Sequence, residues 1–260
     1  MNTPFVDFKA TEITPEKQKC FFVEPKFIKS VISPKASVII GERGSGKTTL
    51  LRQLEKAFNH SQDLEYLGIY YRFETAYVKA LNNPEMTVDQ NISAFSQSLA
   101  AILGKLLCQT LEGIKTSKDI RYEREEEICK KLTMDIELPI AEKVSSYGQL
   151  AEIYERIRKK ILINLQNGEN ICYFDYTSFI NDFCQELRKE NLFSQSCFCV
   201  LLDEYENLTF SQQRVVNSFI KNSSYYLTYK VCMRPDGFLT KDTVADKEQL
   251  MFGHDYEEFD

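Results

Sequence analysis

Gly41-Glu-Arg-Gly-Ser-Gly-Lys-Thr-Thr49 fits the pattern G-x-x-x-x-G-K-[ST] without a gap. A short apolar stretch, residues 37–40, precedes it and reads as a strand. Leu50, Leu51, Leu54, Ala57 and Phe58 follow at helical spacing, so a helix runs from Lys47 to about Asn59. Strand, loop and helix in that order make this a phosphate loop rather than a glycine-rich turn. Gly41, Gly44 and Gly46 allow backbone conformations that a Cβ would block. The N–H groups of Glu42, Arg43, Ser45 and their neighbours can then wrap a polyphosphate at the positive end of the helix. Lys47 reaches the β- and γ-phosphates, and the Thr48 hydroxyl, followed by Thr49, ligates Mg²⁺.

The second decisive stretch is Phe198-Cys-Val-Leu-Leu-Asp-Glu204. Its apolar run reads as a strand buried on both faces, ending in two adjacent carboxylates. Ligands of open α/β sheets sit beyond the carboxyl ends of the strands. Downstream of a phosphate loop, Asp203 is therefore expected to hold Mg²⁺ and Glu204 to polarise an attacking water. A third strand, residues 225–233, with Leu227, Tyr229, Val231 and Met233 alternating, ends at Arg234 before the turn Pro235-Asp-Gly237. Arg234 is a candidate for the γ-phosphate of its own nucleotide or of a neighbour's, against the alternative of a surface ion pair. Arg43 is a lesser candidate for a subunit contact.

Working outward, residues 66–73 read as a further strand joined by a right-handed crossover. Residues 75–194 read as mainly helical, with Val88, Ile92, Phe95, Leu99, Ile102, Leu103 and Leu106 at helical spacing. Arg121–Lys131 reads as a solvated helix face. Ser145 or Ser146 caps a helix that Gly168 ends, and another spans about 178–189. This is more chain than one crossover needs. It reads either as a partner-binding insertion, about 75–195, or as extra helices covering the core. A helix over 209–222 and a last strand within 254–260, beside the first, complete the pattern. Residues 1–36 form an arm broken by Pro4, Pro15, Pro25 and Pro34. Its Phe21, Phe22 and Phe27 serve core packing or touch a nucleotide base.

The 260 residues carry a formal net charge of −6, which argues against a chain that coats nucleic acid. No apolar run has the length of a signal peptide or membrane span, so a cytoplasmic protein is expected. Eight cysteines without a C-x-x-C pair, and two histidines, point to buried thiols rather than a zinc site or disulfide framework. Cys197 and Cys199 share a strand face and read as packing residues.

GERGSGKTT, VLLDEYENL and KVCMRPDGF together resemble the additional-strand, catalytic-glutamate class of P-loop ATPases. Within it they are similar to AAA-type ATPases related to origin-recognition and initiator proteins, and to the signal-transduction ATPases. Prokaryotic members of that neighbourhood serve DNA-linked processes and antiviral defence. The resemblance spans about residues 37–73 and 196–240. It implies a three-layer α/β P-loop core (residues 37–260) with a mainly parallel five-stranded sheet. The strand ending at Arg234 would lie between the Asp-Glu strand and the phosphate-loop strand. It further implies ATP with Mg²⁺ and self-association with sites between subunits. A helical lid with a second sensor arginine and a winged-helix module would follow residue 260. Adenine is favoured over guanine by the resemblance, and no Asn-Lys-x-Asp motif is present. Four activities are consistent with these residues. The first is ATP hydrolysis driving a conformational or assembly switch, with Lys47, Glu204 and Arg234 as its working residues. The second is a nucleotide-gated oligomeric scaffold holding a protein effector through the insertion. A nucleic-acid module is disfavoured by charge. A small-molecule kinase is disfavoured because Glu204 would activate the water a kinase must exclude.

Overall fold

The computed structural model describes Lys26 and residues 28–134, 136, 143–169, 172–175 and 178–260. Phe21, Phe22, Phe27 and Cys20 lie outside the described residues. Five strands form one sheet: β1 (Ala36–Ile40), β2 (Tyr66–Arg72), β3 (Cys197–Asp203), β4 (Leu227–Met233) and β5 (Tyr256–Phe259). Their order is β2-β3-β4-β1-β5, and every neighbouring pair is parallel. The Asp-Glu strand is thus separated from the phosphate-loop strand by the strand that ends before Arg234, as the resemblance implies. β3 and β4 are buried along their whole length, which explains the continuous apolar run of β3 from Cys197 to Leu202.

Helices cover both faces of the sheet. On one side lie α1 (Ile28–Val31) and α2 (Lys47–His60). Ile28, Val31, Leu50, Leu51, Leu54 and Phe58 pack there against Ile39, Tyr70, Cys199, Leu201 and Cys232. The other side carries α3 (Thr75–Ala80), α4 (Val88–Lys118), α5 (Glu125–Met134), α6 (Tyr147–Gln166), α7 (Phe179–Leu187) and α8 (Phe210–Lys221). α4 lies along α6 and also reaches β2 and α8. Phe95, Leu99, Leu103, Leu150, Ile157 and Phe183 join Leu67, Ile69, Val200, Leu202 and Val231 in one continuous core. The buried stripe of the long helical region therefore covers the sheet.

Local sequence explains where these helices begin and stop. Thr87 caps α4 through a reciprocal pair: its hydroxyl accepts from Gln90 N–H, and Gln90 accepts from Thr87 N–H. Ser146 caps α6, and Gly168, at φ +74°, follows its end. Three expectations need correction. Val88 opens α4 at the expected place but is exposed rather than part of the buried stripe. Arg121–Lys131 is not one solvated helix. It is a loop to Arg124 and then α5, which buries Ile128, Cys129 and Leu132 beneath its charged face. The strand expected from Tyr225 begins at Leu227, since Ser224 closes a turn onto Leu227.

β2 is an edge strand whose outward backbone groups need partners. Asn59 of α2 supplies them, its amide donating to Gly68 O at 2.9 Å and accepting from Gly68 N–H at 2.8 Å. The helix comes so close here that a Cβ on Gly68 would sit 2.8 Å from Glu55 Cα. Gly68→Ala is expected to cost about 1–3 kcal/mol by overpacking, checked by urea denaturation. An unchanged midpoint would show that α2 can retreat freely.

Between β4 and β5 the chain crosses without a helix. Buried amides of α8 substitute for the missing regular structure. Gln213 donates to Gly237 O at 2.8 Å and accepts from Leu239 N–H at 2.8 Å, while Asn217 donates to Asp242 O at 2.8 Å. Lys230 of β4 is buried too. Its ammonium donates to Ser33 O at 2.8 Å and to Lys35 O, tying the end of the arm to the sheet, and burial lowers its pKa. The cysteines of the core are inert thiols: burial pushes Cys199 to about 12 and Cys197 to about 11. None of the described cysteines is in a disulfide, and among the described residues no helix is long and apolar enough to cross a membrane.

Candidate nucleotide site

The loop from Gly41 to Gly46 leaves β1 at the carboxyl edge of the sheet and turns into α2. Gly44 and Gly46 take φ of +88° and +93°, where a side chain would be strained, and the space around each is open. No side chain caps the first turn of α2, whose N–H groups face the loop. Glu42, Arg43 and Ser45 are exposed on the loop, Thr49 is half-buried in α2, and Ser45 N–H closes the turn onto Glu42 O at 3.1 Å. A Cβ on Gly41 would lie 2.6 Å from Ser45 Oγ, so this glycine is needed for close approach. Lys47 Nζ donates to the carbonyls of Gly41 and Glu42, folding back over the loop. The loop thus offers an ammonium and backbone N–H groups beside open space at Gly44 and Gly46, the chemistry a polyphosphate requires.

Thr48 and Asp203, 155 residues apart, meet here: Thr48 Oγ1 donates to Asp203 Oδ2 at 2.7 Å. Asp203 is 1% exposed and fully engaged. Its Oδ2 also accepts from Tyr70 Oη at 2.9 Å, and its Oδ1 accepts from Glu204 N–H at 3.0 Å. Burial and the neighbouring Asp203 charge push the Tyr70 phenol far above its ordinary value, so it stays a donor. The Arg52 guanidinium lies 3.5 Å from the centre of the Tyr70 ring and helps fix it. A hydroxyl beside a fixed carboxylate fits Mg²⁺, which takes one or two protein ligands and keeps waters and phosphate oxygens for the rest. Among the described residues no larger His, Cys, Asp or Glu cluster suits a metal.

Glu204 follows in the left-handed conformation, φ +57°, unusual for a residue with a Cβ. That turn carries its side chain out of the strand line and onto Arg72, whose Nη2 lies 2.8 Å from Glu204 Oε1. Asn207 Nδ2 donates to Glu204 Oε2 at 2.9 Å and to Phe73 O at 2.8 Å. Arg234 begins the turn after β4. Its Nε lies 3.5 Å from Glu206 Oε1 and 3.6 Å from Asp236 Oδ1. Burial raises the pKa of Glu206, with the Lys47 and Arg234 charges opposing the shift.

Loop, Asp203, Glu204 and Arg234 thus gather along one edge of the sheet, at the ends of β1, β3 and β4. Tyr70, Arg72, Asn207 and Glu206 escaped the sequence reading. Arg72 did leave a signal, a charge closing an apolar strand. Its meaning depends on β2 lying beside β3, with Arg72 in register with Asp203. Glu206 belongs to the quoted DEYE stretch but carried no assigned role.

No curated protein matches the sequence. A model of the ORC-CDC6-like family matches residues 3–260, so the likeness extends through the helical region and into the arm. That family is one of AAA-type P-loop ATPases, which bind ATP and use it with Mg²⁺. With nearly its whole length matched and the loop, carboxylates and strand order in agreement, the chain belongs to the ORC-CDC6-like family.

Proposed function

We propose that this chain binds Mg²⁺-ATP and hydrolyses it to drive a conformational or assembly switch, in antiviral defence or a DNA-linked process. The observation that carries the reading is the Thr48–Asp203 contact of 2.7 Å beneath the glycine loop. In this reading the loop N–H groups and Lys47 bind the phosphates, and Thr48 and Asp203 hold the cation. Mg²⁺, when bound, offsets charge on the β- and γ-phosphates. Glu204 orients a water and takes its proton as the water oxygen attacks the γ-phosphorus; the bond from that phosphorus to the β,γ-bridging oxygen breaks, and ADP leaves. Arg234 lies on the same edge and offsets charge on the transferred group. The test is steady-state phosphate release over a range of protein concentration, with particle mass followed in ATP and in ADP. Release per subunit that rises with concentration, and a mass that depends on nucleotide, support a switch completed between copies of the chain. No release over the whole range removes the hydrolytic reading.

The Arg72–Glu204 ion pair favours a second reading, a scaffold that binds ATP with little turnover and holds a protein effector through its helical region. A glutamate held by a guanidinium and an amide is not free to take a proton. Arg72→Ala is expected to raise basal phosphate release by up to about fivefold, the worth of a partly exposed ion pair. A lower rate in that variant would assign Arg72 a supporting role instead.

A further inference from the structure

Glu206 is a largely buried carboxylate at this edge of the sheet for which the proposed chemistry has no use. Its side chain is 13% exposed. Oε2 is buried and has no hydrogen-bond partner among the described residues. Burying a carboxylate oxygen unpaired is costly, so its retention beside Lys47 and Arg234 calls for a physical reason. The backbone that carries it is held firmly. Tyr205 Oη donates to Asn217 Oδ1 at 2.6 Å on one side, and Asn207 Nδ2 donates to Phe73 O at 2.8 Å on the other. Arg234 is the more exposed partner, with half of its long side chain open to solvent. Its other neighbour, Asp236, is 78% exposed and screened by water.

We infer that Glu206 is a positioning residue that holds Arg234 away from the phosphates until a γ-phosphate displaces it, so that this pair sets the preference between ATP and ADP. The inference rests on the nucleotide-site reading above. A terminal phosphate offers several charged oxygens to a guanidinium and outcompetes one carboxylate oxygen at 3.5 Å. ADP offers no group at that position, and Arg234 stays on Glu206. Binding of ATP therefore breaks the Glu206–Arg234 pair, and binding of ADP does not.

The experiment measures the affinities of the full chain for Mg²⁺-ADP and for the non-hydrolysed β,γ-imido analogue of ATP, by calorimetry. Glu206→Gln is expected to tighten the triphosphate analogue by about fivefold and leave ADP within twofold. Arg234→Met is expected to weaken the analogue selectively. Adding Glu206→Gln to Arg234→Met should then change nothing further. A merely structural role for Glu206 would move both nucleotides together, which overturns the inference. So does a Glu206→Gln effect that persists without Arg234, since the charge would then act directly on the phosphate. If Glu206→Gln does not fold, an unchanged triphosphate-to-diphosphate ratio in Arg234→Met alone overturns it. A parent chain that binds neither nucleotide overturns the site reading as well. A parent that binds both, with a ratio neither variant alters, overturns this inference alone.

Discussion

Glu204→Gln is expected to lower phosphate release by roughly 10²–10⁴-fold, the usual worth of a general base, while ATP binding stays within about twofold. The two effects separate because Glu204 stands apart from the groups that would hold nucleotide. Thr48 and Tyr70 both donate to Asp203, and Lys47 donates within the loop. None of these contacts involves the Glu204 side chain. Glutamine keeps the shape, and its one carbonyl oxygen can still accept from Arg72 or from Asn207, so the left-handed turn at residue 204 need not move. What it loses is the capacity to take a proton. Single-turnover hydrolysis with calorimetric ATP binding checks both halves. Parent-like turnover in the variant would remove Glu204 from the mechanism.

Lys47→Ala is expected to weaken ATP binding roughly 100-fold, about 2.7 kcal/mol, consistent with the loss of one or two charge-assisted hydrogen bonds to phosphate. Its cost to folding is expected to be far smaller. Lys47 is half-buried and, among the described residues, bonds to the carbonyls of Gly41 and Glu42, which water can satisfy in its absence. Alanine is also a good residue for the first turn of α2. Melting temperature and affinity measured on the same sample separate the two effects. Unchanged affinity would place the nucleotide elsewhere and end the loop assignment.

The parts of the site legible in the sequence are those whose chemistry is local. Gly44 and Gly46 at positive φ, Lys47 and Thr48 at the start of α2, and an apolar strand ending in Asp203 each depend only on neighbours in the chain. Strand limits shifted where a turn intervened, as at Ser224, and reading residues 121–131 as a solvated helix face missed that Tyr122 and Ile128 are buried. The reciprocal cap Thr87-Val-Asp-Gln90, which starts the longest of the described helices, follows a local sequence rule but went unread.

By itself the sequence determined the phosphate loop, the paired carboxylates at a strand end and the α/β class, because glycine conformation, helix caps and apolar runs act over a few residues. Only the tertiary structure decided which charges face one another. Arg72 meets Glu204 because β2 lies beside β3, Tyr70 meets Asp203 across the same strand pair, and Glu206 meets Arg234 across β3 and β4. The buried stripe of the helical region could have faced the sheet or a partner; which it faces depends on contacts between segments far apart in the chain. Such pairings depend on strand order and on burial, which strips water from a charge and makes its neighbour matter, and neither is written in any one stretch of the chain.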